Sequence, residues 1–512
     1  MALGIGEWIT RRASRTPNRI ALVDGREGTE FTYADLDRRS GILAEMLRAS
    51  GVRRGDRVAL LMGNSTTFLE LLFAAAKLGA VTVPINFRLS EGEVAYILDD
   101  SQASILFHDS LRERLAREAA AEMQTSAPTI VEASEISLRV DVSVDASCSG
   151  GSEPANPHDL AVIMYTSGTT GRPKGAMLTH GNLEWNAVNM LTAGKGITGT
   201  DVTVTVAPLF HIGALGLFTL PLLYAGGTVI VEEQFDAPRV LELLAQKSVT
   251  VQFMVPTMWA DLAALPDFGS HNLENLRWLL SGGAPCPLPL IETYGAKGLL
   301  LSEGYGMTEL SPAALILEEE FVLTKAGSVG RPFLHVETRI VDDFDRDVRQ
   351  GDVGELIFRG PNVCAGYWGL PDATAEVIRG GWFHSGDLAF EGDDGFITLV
   401  DRKHDMIISG GENVYPIEVE QILNQHPFIS DVAVIGIPHD RWGETVLAVV
   451  VPVGQTNITE QEVIQFCRER IAGYKCPRRV ESVIELPRNA TGKILKRELR
   501  KMFSVSETAV IR

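Results

Sequence analysis

Residues 166–175 read TSGTTGRPKG and follow an apolar run, Leu160 to Tyr165. Three glycines, four hydroxyls and two cations fall within these ten residues. Glycine lets backbone N–H groups come close to phosphate oxygens, and hydroxyls add further donors. Arg172 and Lys174 supply positive charge. The predicted chemistry is capture of a polyphosphate. The spacing is not that of the Walker loop, G-x-x-x-x-G-K-[ST], because Gly168 and Gly171 stand too close together and Lys174 follows Pro173. A generic Gly/Ser/Thr stretch is ordinarily a solvent-facing turn; a string this particular fits that reading poorly.

The string resembles the signature loop of the adenylate-forming superfamily, which takes in acyl-CoA synthetases, aryl-CoA ligases, firefly luciferases and the adenylation domains of peptide synthetases. Other segments resemble family motifs in the family's order. Residues 281–285 (SGGAP) are similar to the adenine-contacting turn, and 304–309 (GYGMTE) to the strand end that holds nucleotide and magnesium. Residues 385–387 (SGD) resemble the ribose turn and Asp401-Arg402 the hinge. Residues 409–416 (SGGENVYP) resemble the loop that opens the small domain, and 487–493 (PRNATGK) the loop of the catalytic lysine. Any one tripeptide is weak evidence; the ordered set beside the long loop is specific.

The resemblance implies an ATP-dependent acyl-CoA ligase. A carboxylic acid is activated as an acyl adenylate with release of pyrophosphate, then passed to the thiol of CoA. The implied cofactors and co-substrates are ATP, Mg²⁺ and CoA. A fatty acid is the expected substrate. The alternatives are an aryl or alicyclic acid, or a stand-alone enzyme that loads a carrier protein. A non-catalytic nucleotide sensor would need a damaged site, and Lys493, Glu309 and Asp387 are all present.

The residue roles carried by the resemblance make chemical sense. Adenylation joins two anions, so the site must relieve repulsion between carboxylate and α-phosphate. Lys493 is the implied bridge. Glu309 offers the hard oxygen that Mg²⁺ prefers, with ATP phosphates completing the set. Thr166, Ser167, Gly168, Thr169, Thr170, Gly171 and Lys174 are expected on the phosphates. Gly283, Ala284 and Pro285, then Gly304, Tyr305, Gly306, Met307 and Thr308, are expected around the nucleotide. Asp387 can accept both ribose hydroxyls, and Arg402 is expected beside it. With Lys493, Glu309 and Thr166, His211 completes the catalytic set as a gate between ATP and acyl sites. A histidine in the apolar run 208–211 is equally read as a satisfied core residue, and the two readings are compatible.

The expected acyl walls are Phe210, His211, Ile212, Gly213, Met258, Trp259, Gly283, Ala284, Met307 and Ala313. They are apolar, with no charge suited to an amino group, so hydrophobic acids are favoured over amino acids. For CoA, the resemblance implies the loop Ser409, Gly410, Gly411 and Glu412, brought to the site by rotation of the small domain. Tyr474, Lys475, Arg478 and Arg479 are candidates for the CoA phosphates. One departure stands at the hinge: His404 occupies the fourth position, where similar enzymes carry Lys or Asp.

These residues need a scaffold, and the sequence predicts an α/β one. Thr32 and Asp35 form a capping-box pattern before a helix with Leu36, Leu43 and Leu47, ended by Gly51. Residues 56–62 read as a buried strand, 66–78 as a helix and 80–83 as the next strand, a βαβ unit with parallel pairing. Residues 142–158 read as a linker rich in Ser, Gly, Pro and Asp. Strand 396–400 precedes the charged cluster 401–405, after which a small α+β pattern begins. The expected organisation is a large N-terminal domain, 1–401, of mixed, mainly parallel sheets layered with helices. A hinge follows at 402–404, then a small mobile α+β domain, 405–512.

The chain's 512 residues exceed one hydrophobic core, and its net charge of −20 argues against nucleic-acid binding. The segment from Arg468 to Arg512 is the exception, with twelve Lys/Arg against five Glu. It reads either as a solvated basic face or as a surface for a polyanionic small molecule. The five cysteines show no CxxC spacing, and no apolar leader is evident, so a reducing cytoplasm is expected. Residues 209–231 carry no charged side chain, yet their glycines and Pro221 argue for a buried helix, turn and strand rather than a membrane span. The sequence is equally compatible with a monomer and a homo-oligomer.

Overall fold

A computed structural model describes residues 4–135, 155–166, 172–403, 405–409, 412–439, 442–454, 456, 458–488 and 494–503. The predicted capping box closes: the Asp35 amide donates to Thr32 Oγ1 at 3.1 Å and the Thr32 amide to Asp35 Oδ2 at 3.0 Å, starting the helix Tyr33–Ala49. The predicted βαβ unit is present as strand Arg57–Leu61, helix Thr66–Leu78 and strand Val81–Pro84, with the strands parallel. Ser65 caps the helix, and Gly79 ends it at φ +73°, a backbone state that other residues rarely adopt. The helix is buried on almost every face, which explains its run of Phe, Leu and Ala.

Around this unit grows a six-stranded sheet in the order Thr129–Glu132, Ala103–His108, Arg57–Leu61, Val81–Pro84, Leu160–Thr166, Lys174–Thr179. The last two strands, which flank the phosphate segment in sequence, pair antiparallel at the sheet's edge. A second sheet holds Glu30–Thr32, Ile20–Asp24, Thr228–Val231 and Val202–Thr205. A third runs Val251–Met254, Trp278–Gly282, Leu301–Gly306, Ala313–Ile316, Arg331–Pro332, and its first three strands are parallel. One continuous core of large apolar side chains joins the first, second and third sheets.

The uncharged run near residue 209 breaks as predicted. It forms the helix Ile212–Ala214, a π-turn Leu215–Thr219, the helix Leu220–Ala225 and the strand Thr228–Val231. Among the described residues no helix is long and apolar enough to cross a membrane. The part of the expected linker from 142 to 154 lies outside the described residues.

An antiparallel sheet of Glu337–Val341, Gly354–Arg359, Trp382–Glu391, Ile378–Arg379 and Ile397–Arg402 completes the large domain. The small domain begins with strand Ile407–Ser409. Its sheet also holds Glu412–Val414, Gly443–Pro452, Ile429–His439 and Arg479–Ser482, covered by helices Pro416–Leu423, Glu460–Arg468 and Lys496–Phe503. The two domains meet at Asp401. Its Oδ2 accepts the Ile417 amide at 3.1 Å, and Lys496 lies buried nearby against Glu420 at 2.9 Å. Burial pushes the Asp401 carboxyl up to about 6.

Candidate active site

The third sheet supplies the floor of the candidate nucleotide site. Strand Trp278–Gly282 ends in the turn at Gly283 (φ +85°), and its parallel neighbour Leu301–Gly306 carries Tyr305. Tyr305 stacks on Phe358 at 5.8 Å and donates its hydroxyl to Asp387 Oδ2 at 2.6 Å. Arg402 sits opposite Asp387 in the strand register and reaches its Oδ1 at 3.0 Å. Asp387 raises the Arg402 guanidinium, while burial and Asp387 together hold the Tyr305 phenol well above its ordinary value. Asp387 and Arg402, the expected ribose pair, and Tyr305, expected around the nucleotide, are thus one bonded group, although they lie about a hundred residues apart. Ser385 supports it by donating to the Leu356 carbonyl and accepting the Asp387 amide at 3.0 Å.

Beneath the turn at 283–285 lies Glu303, which no motif flagged. It is fully buried, its Oε1 accepts the Cys286 amide at 3.1 Å, and its Oε2 has no partner among the described residues. Burial lifts this carboxyl to about 7.

At the phosphate end, Thr166 closes the strand Leu160–Thr166, and its hydroxyl reaches the Lys174 carbonyl at 3.4 Å. Ser167, Gly168, Thr169, Thr170 and Gly171 lie outside the described residues, as does Lys493. Lys174 Nζ stands 5.3 Å from the centre of the Tyr367 ring. The Tyr367 hydroxyl donates to Glu309 Oε1 at 2.8 Å. Glu309 is the middle residue of a short 3₁₀ turn, Thr308–Leu310, and is buried. Its second oxygen could offer a hard ligand to Mg²⁺, which takes few protein carboxylates and completes its shell with phosphate and water. Among the described residues no three His, Cys, Asp or Glu side chains gather into a cage of their own, so a metal here would share its shell with a nucleotide.

A cavity of about 730 Å³ opens between these parts. His211, Ile212, Gly213, Met258, Gly283, Met307 and Ala313 line it, as the sequence suggested. Phe210 and Trp259 do not. Phe210 packs edge-on against Phe87 at 5.1 Å. Trp259 turns into the core against Tyr294 and donates Nε1 to the Leu280 carbonyl. Helix periodicity explains the Trp259 case: on the helix Pro256–Ala263 the neighbours Met258 and Trp259 point about 100° apart, so one can face the cavity and the other the core. Ala284 also lies outside the lining. Leu217, Phe253 and Phe333 are walls the sequence did not single out. His211 Nε2 is buried with no partner among the described residues, and burial, helped by Arg88, lowers the imidazole to about 4. The ring facing the cavity is therefore neutral at pH 7.

The small domain contributes Arg488, which lines the cavity and pairs with Asp431 at 2.5 Å. Of the expected CoA contacts, Ser409 is buried in its strand, paired in register with Glu412. Gly410 and Gly411 are outside the described residues, as is His404. Lys475 is held by Glu418 at 2.7 Å and Arg479 by Glu481 at 2.7 Å. Arg478 stacks over Trp442 at 5.0 Å, and Tyr474 is exposed.

Residues 9–368 match the family described as "AMP-binding enzyme", and residues 418–493 match "AMP-binding enzyme C-terminal domain". The chain belongs to the AMP-binding enzyme family. Among the relatives of this AMP-binding enzyme is the feruloyl-CoA synthase of an Amycolatopsis species, 46% identical over 98% of this chain and 99% of that one. The long-chain-fatty-acid–CoA ligase FadD13 of Mycobacterium tuberculosis is 36% identical over 98% of this chain and 99% of its own. ATP-bound MatB from Rhodopseudomonas palustris superposes with a TM-score of 0.89 at 31% identity, covering 98% of this chain and 99% of that one. The AMP-binding enzyme is thus an adenylate-forming acid–CoA ligase of the CoA-ligase branch, and it uses ATP, Mg²⁺ and CoA.

Proposed function

We propose that the acid activated by this ligase is aromatic, a planar ring joined to its carboxylate by a short unsaturated chain, as in ferulate. The observation that carries the reading is the shape of one cavity wall. Phe253 presents its ring between Gly213 and Gly282, where added Cβ atoms would lie 3.3 and 3.6 Å from it. All three residues line the cavity. A wall of glycine backbone and one ring is flat, and a planar substrate gains contact along its whole face there. The greater likeness to feruloyl-CoA synthase than to FadD13 supports the same choice. A fatty acid is the competing substrate, since Ile212, Leu217 and Phe333 would also accept an alkyl chain.

In this reading Glu309 holds Mg²⁺, Tyr305, Asp387 and Arg402 hold the nucleoside, and the loop from Thr166 to Lys174 holds the phosphates. Lys493 bridges carboxylate and α-phosphate. The neutral His211 stands at the junction without adding charge beside two anions. For thioesterification the small domain, 405–512, turns about 402–404, withdrawing Lys493 and presenting the 409–412 loop to the pantetheine.

The test is CoA ligation over a panel of acids at equal concentration. Ferulate and cinnamate are expected to exceed octanoate and palmitate in kcat/KM by tenfold or more, on the order of 1.4 kcal/mol of discrimination. A preference for the saturated chains would overturn the aromatic reading and return the fatty acid. Transfer to a carrier protein in place of CoA would overturn the acceptor.

A further inference from the structure

We propose that Tyr367 is a positioning residue that couples the phosphate-loop lysine to the metal-binding carboxylate, at the centre of a backbone strap formed by residues 364–368. The inference rests on the reading above that Glu309 holds Mg²⁺.

The strap is fastened at both ends. The Cys364 amide donates to the Glu309 carbonyl at 2.8 Å. The Ala365 amide donates to the Met177 carbonyl at 2.9 Å, and the Met177 amide donates to the Gly366 carbonyl, also at 2.9 Å. The Trp368 amide donates to the Gly175 carbonyl at 2.8 Å, and its indole N–H to the Asp100 carbonyl at 3.0 Å. The strap therefore joins the stem of the phosphate hairpin, Lys174–Thr179, to the turn that carries Glu309. Gly366 makes the crossing possible. It has φ +110°, and a Cβ there would lie 2.3 Å from Thr374 Cγ2. Thr374 in turn accepts the Tyr367 amide at 2.9 Å.

Tyr367 then makes two contacts with one side chain. Its ring lies below the Lys174 ammonium, and its hydroxyl donates to Glu309 Oε1. A phenol carries its proton at neutral pH, so the hydroxyl serves as the donor in this contact. With one carboxylate oxygen committed to the phenol, rotation of Glu309 is restricted and the other oxygen is presented for a single metal bond. Mg²⁺ demands near-ideal octahedral geometry, so a ligand of fixed direction matters more for it than for a tolerant ion such as Ca²⁺. Hydrogen-bond partners of metal ligands are typically worth 10–100-fold in metal affinity or activity. The ring contact holds Lys174 over the same point, so cation and carboxylate keep a fixed separation along the polyphosphate.

Tyr367→Phe isolates the hydroxyl, because the ring, the lysine contact and the strap's backbone bonds all remain. Calorimetric binding of Mg²⁺·ATP to the whole chain, repeated with ATP in EDTA, reads the metal-dependent part without turnover. The expected result is about tenfold weaker Mg²⁺·ATP binding with metal-free ATP binding unchanged. In turnover, KM for Mg²⁺·ATP should rise while KM for the acid stays fixed. Glu309→Gln serves as the second arm, with the double variant beside it. If Glu309→Gln weakens Mg²⁺·ATP and Tyr367→Phe binds as wild type, the positioning role is overturned. If Glu309→Gln itself binds Mg²⁺·ATP as wild type, the reading of Glu309 fails first. A double variant no weaker than Glu309→Gln alone supports the phenol's acting through that carboxylate.

Discussion

Glu303→Gln should leave this enzyme unchanged in mild acid and make its nucleotide floor more stable in mild base. The carboxyl titrates at 4.5 when unburdened and at about 7 in the fold, where burial disfavours its charge. Between those values the folded protein holds a proton that the unfolded chain has released. The stabilising contribution is complete below pH 4.5 and is lost as pH rises through 7, beyond which both states are ionised. At about 1.4 kcal/mol for each pH unit, the interval corresponds to about 3 kcal/mol. Glutamine keeps an acceptor for the Cys286 amide and carries no charge, so it avoids that loss. Hydrogen exchange of peptides spanning residues 278–306 is the suitable assay. It reads local opening without requiring a two-domain chain to unfold in one step. Near pH 5 wild type and variant should exchange alike once intrinsic rates are removed; near pH 8 the wild type should open up to about a hundredfold more often. A ratio that stays constant from pH 5 to 8 would refute the reasoning and mean that Glu303 is ionised throughout.

Lys493→Ala should abolish pyrophosphate exchange while sparing conversion of a supplied acyl adenylate to acyl-CoA, because the ammonium serves only the first half-reaction; equal loss in both halves would count against it. Replacing Lys475, Arg478 and Arg479 together with Ala should raise KM for CoA severalfold, leave KM for ATP alone, and matter less with dephospho-CoA. Each is an exposed or half-exposed contact, individually worth about 0–1 kcal/mol, and added salt should mimic the change.

Much of the scaffold could be read directly, because it is written in local patterns. The capping box at Thr32 and Asp35, the apolar helix after Thr66 and the breaks at Gly226 and Gly227 each act within a few residues. The site was legible where a motif concentrates backbone geometry, as at 281–285 and 304–309. It was not legible where function depends on residues brought together by the sheets. Tyr367 sits in an unremarkable Gly-Tyr-Trp string and meets Glu309 only because the strap crosses the hairpin stem. Glu303 stands one place before the recognised motif, and it lies beneath the turn that ends the preceding strand, about twenty residues earlier. Phe253 looks like any apolar strand residue until Gly213 and Gly282 flank it. Phe210 and Trp259 err the other way: their composition suits a pocket wall, but Trp259 turns into the core and Phe210 packs behind Phe87.

The basic tail shows the same effect in charge. Counted along the sequence, Arg468 to Arg512 carries an excess of seven positive charges, which suggested a field able to draw in an anionic thiol. In space that excess is answered from elsewhere in the small domain. Lys475 meets Glu418, Arg488 meets Asp431, Lys496 meets Glu420 and Arg500 meets Asp405, and all four carboxylates precede the segment. From Asp405 to Arg512 the sequence holds fourteen acidic and thirteen basic residues, so the domain as a whole is close to neutral. A neutral domain cannot steer CoA at long range; it can offer only short-range contacts. Capture of CoA phosphates would then have to exchange an existing partner, Glu418 for Lys475 or Glu481 for Arg479, whereas among the described residues Arg478 gives up only the face of Trp442. The structure therefore ranks Arg478 first among the three cations, a ranking that the count along the chain could not supply.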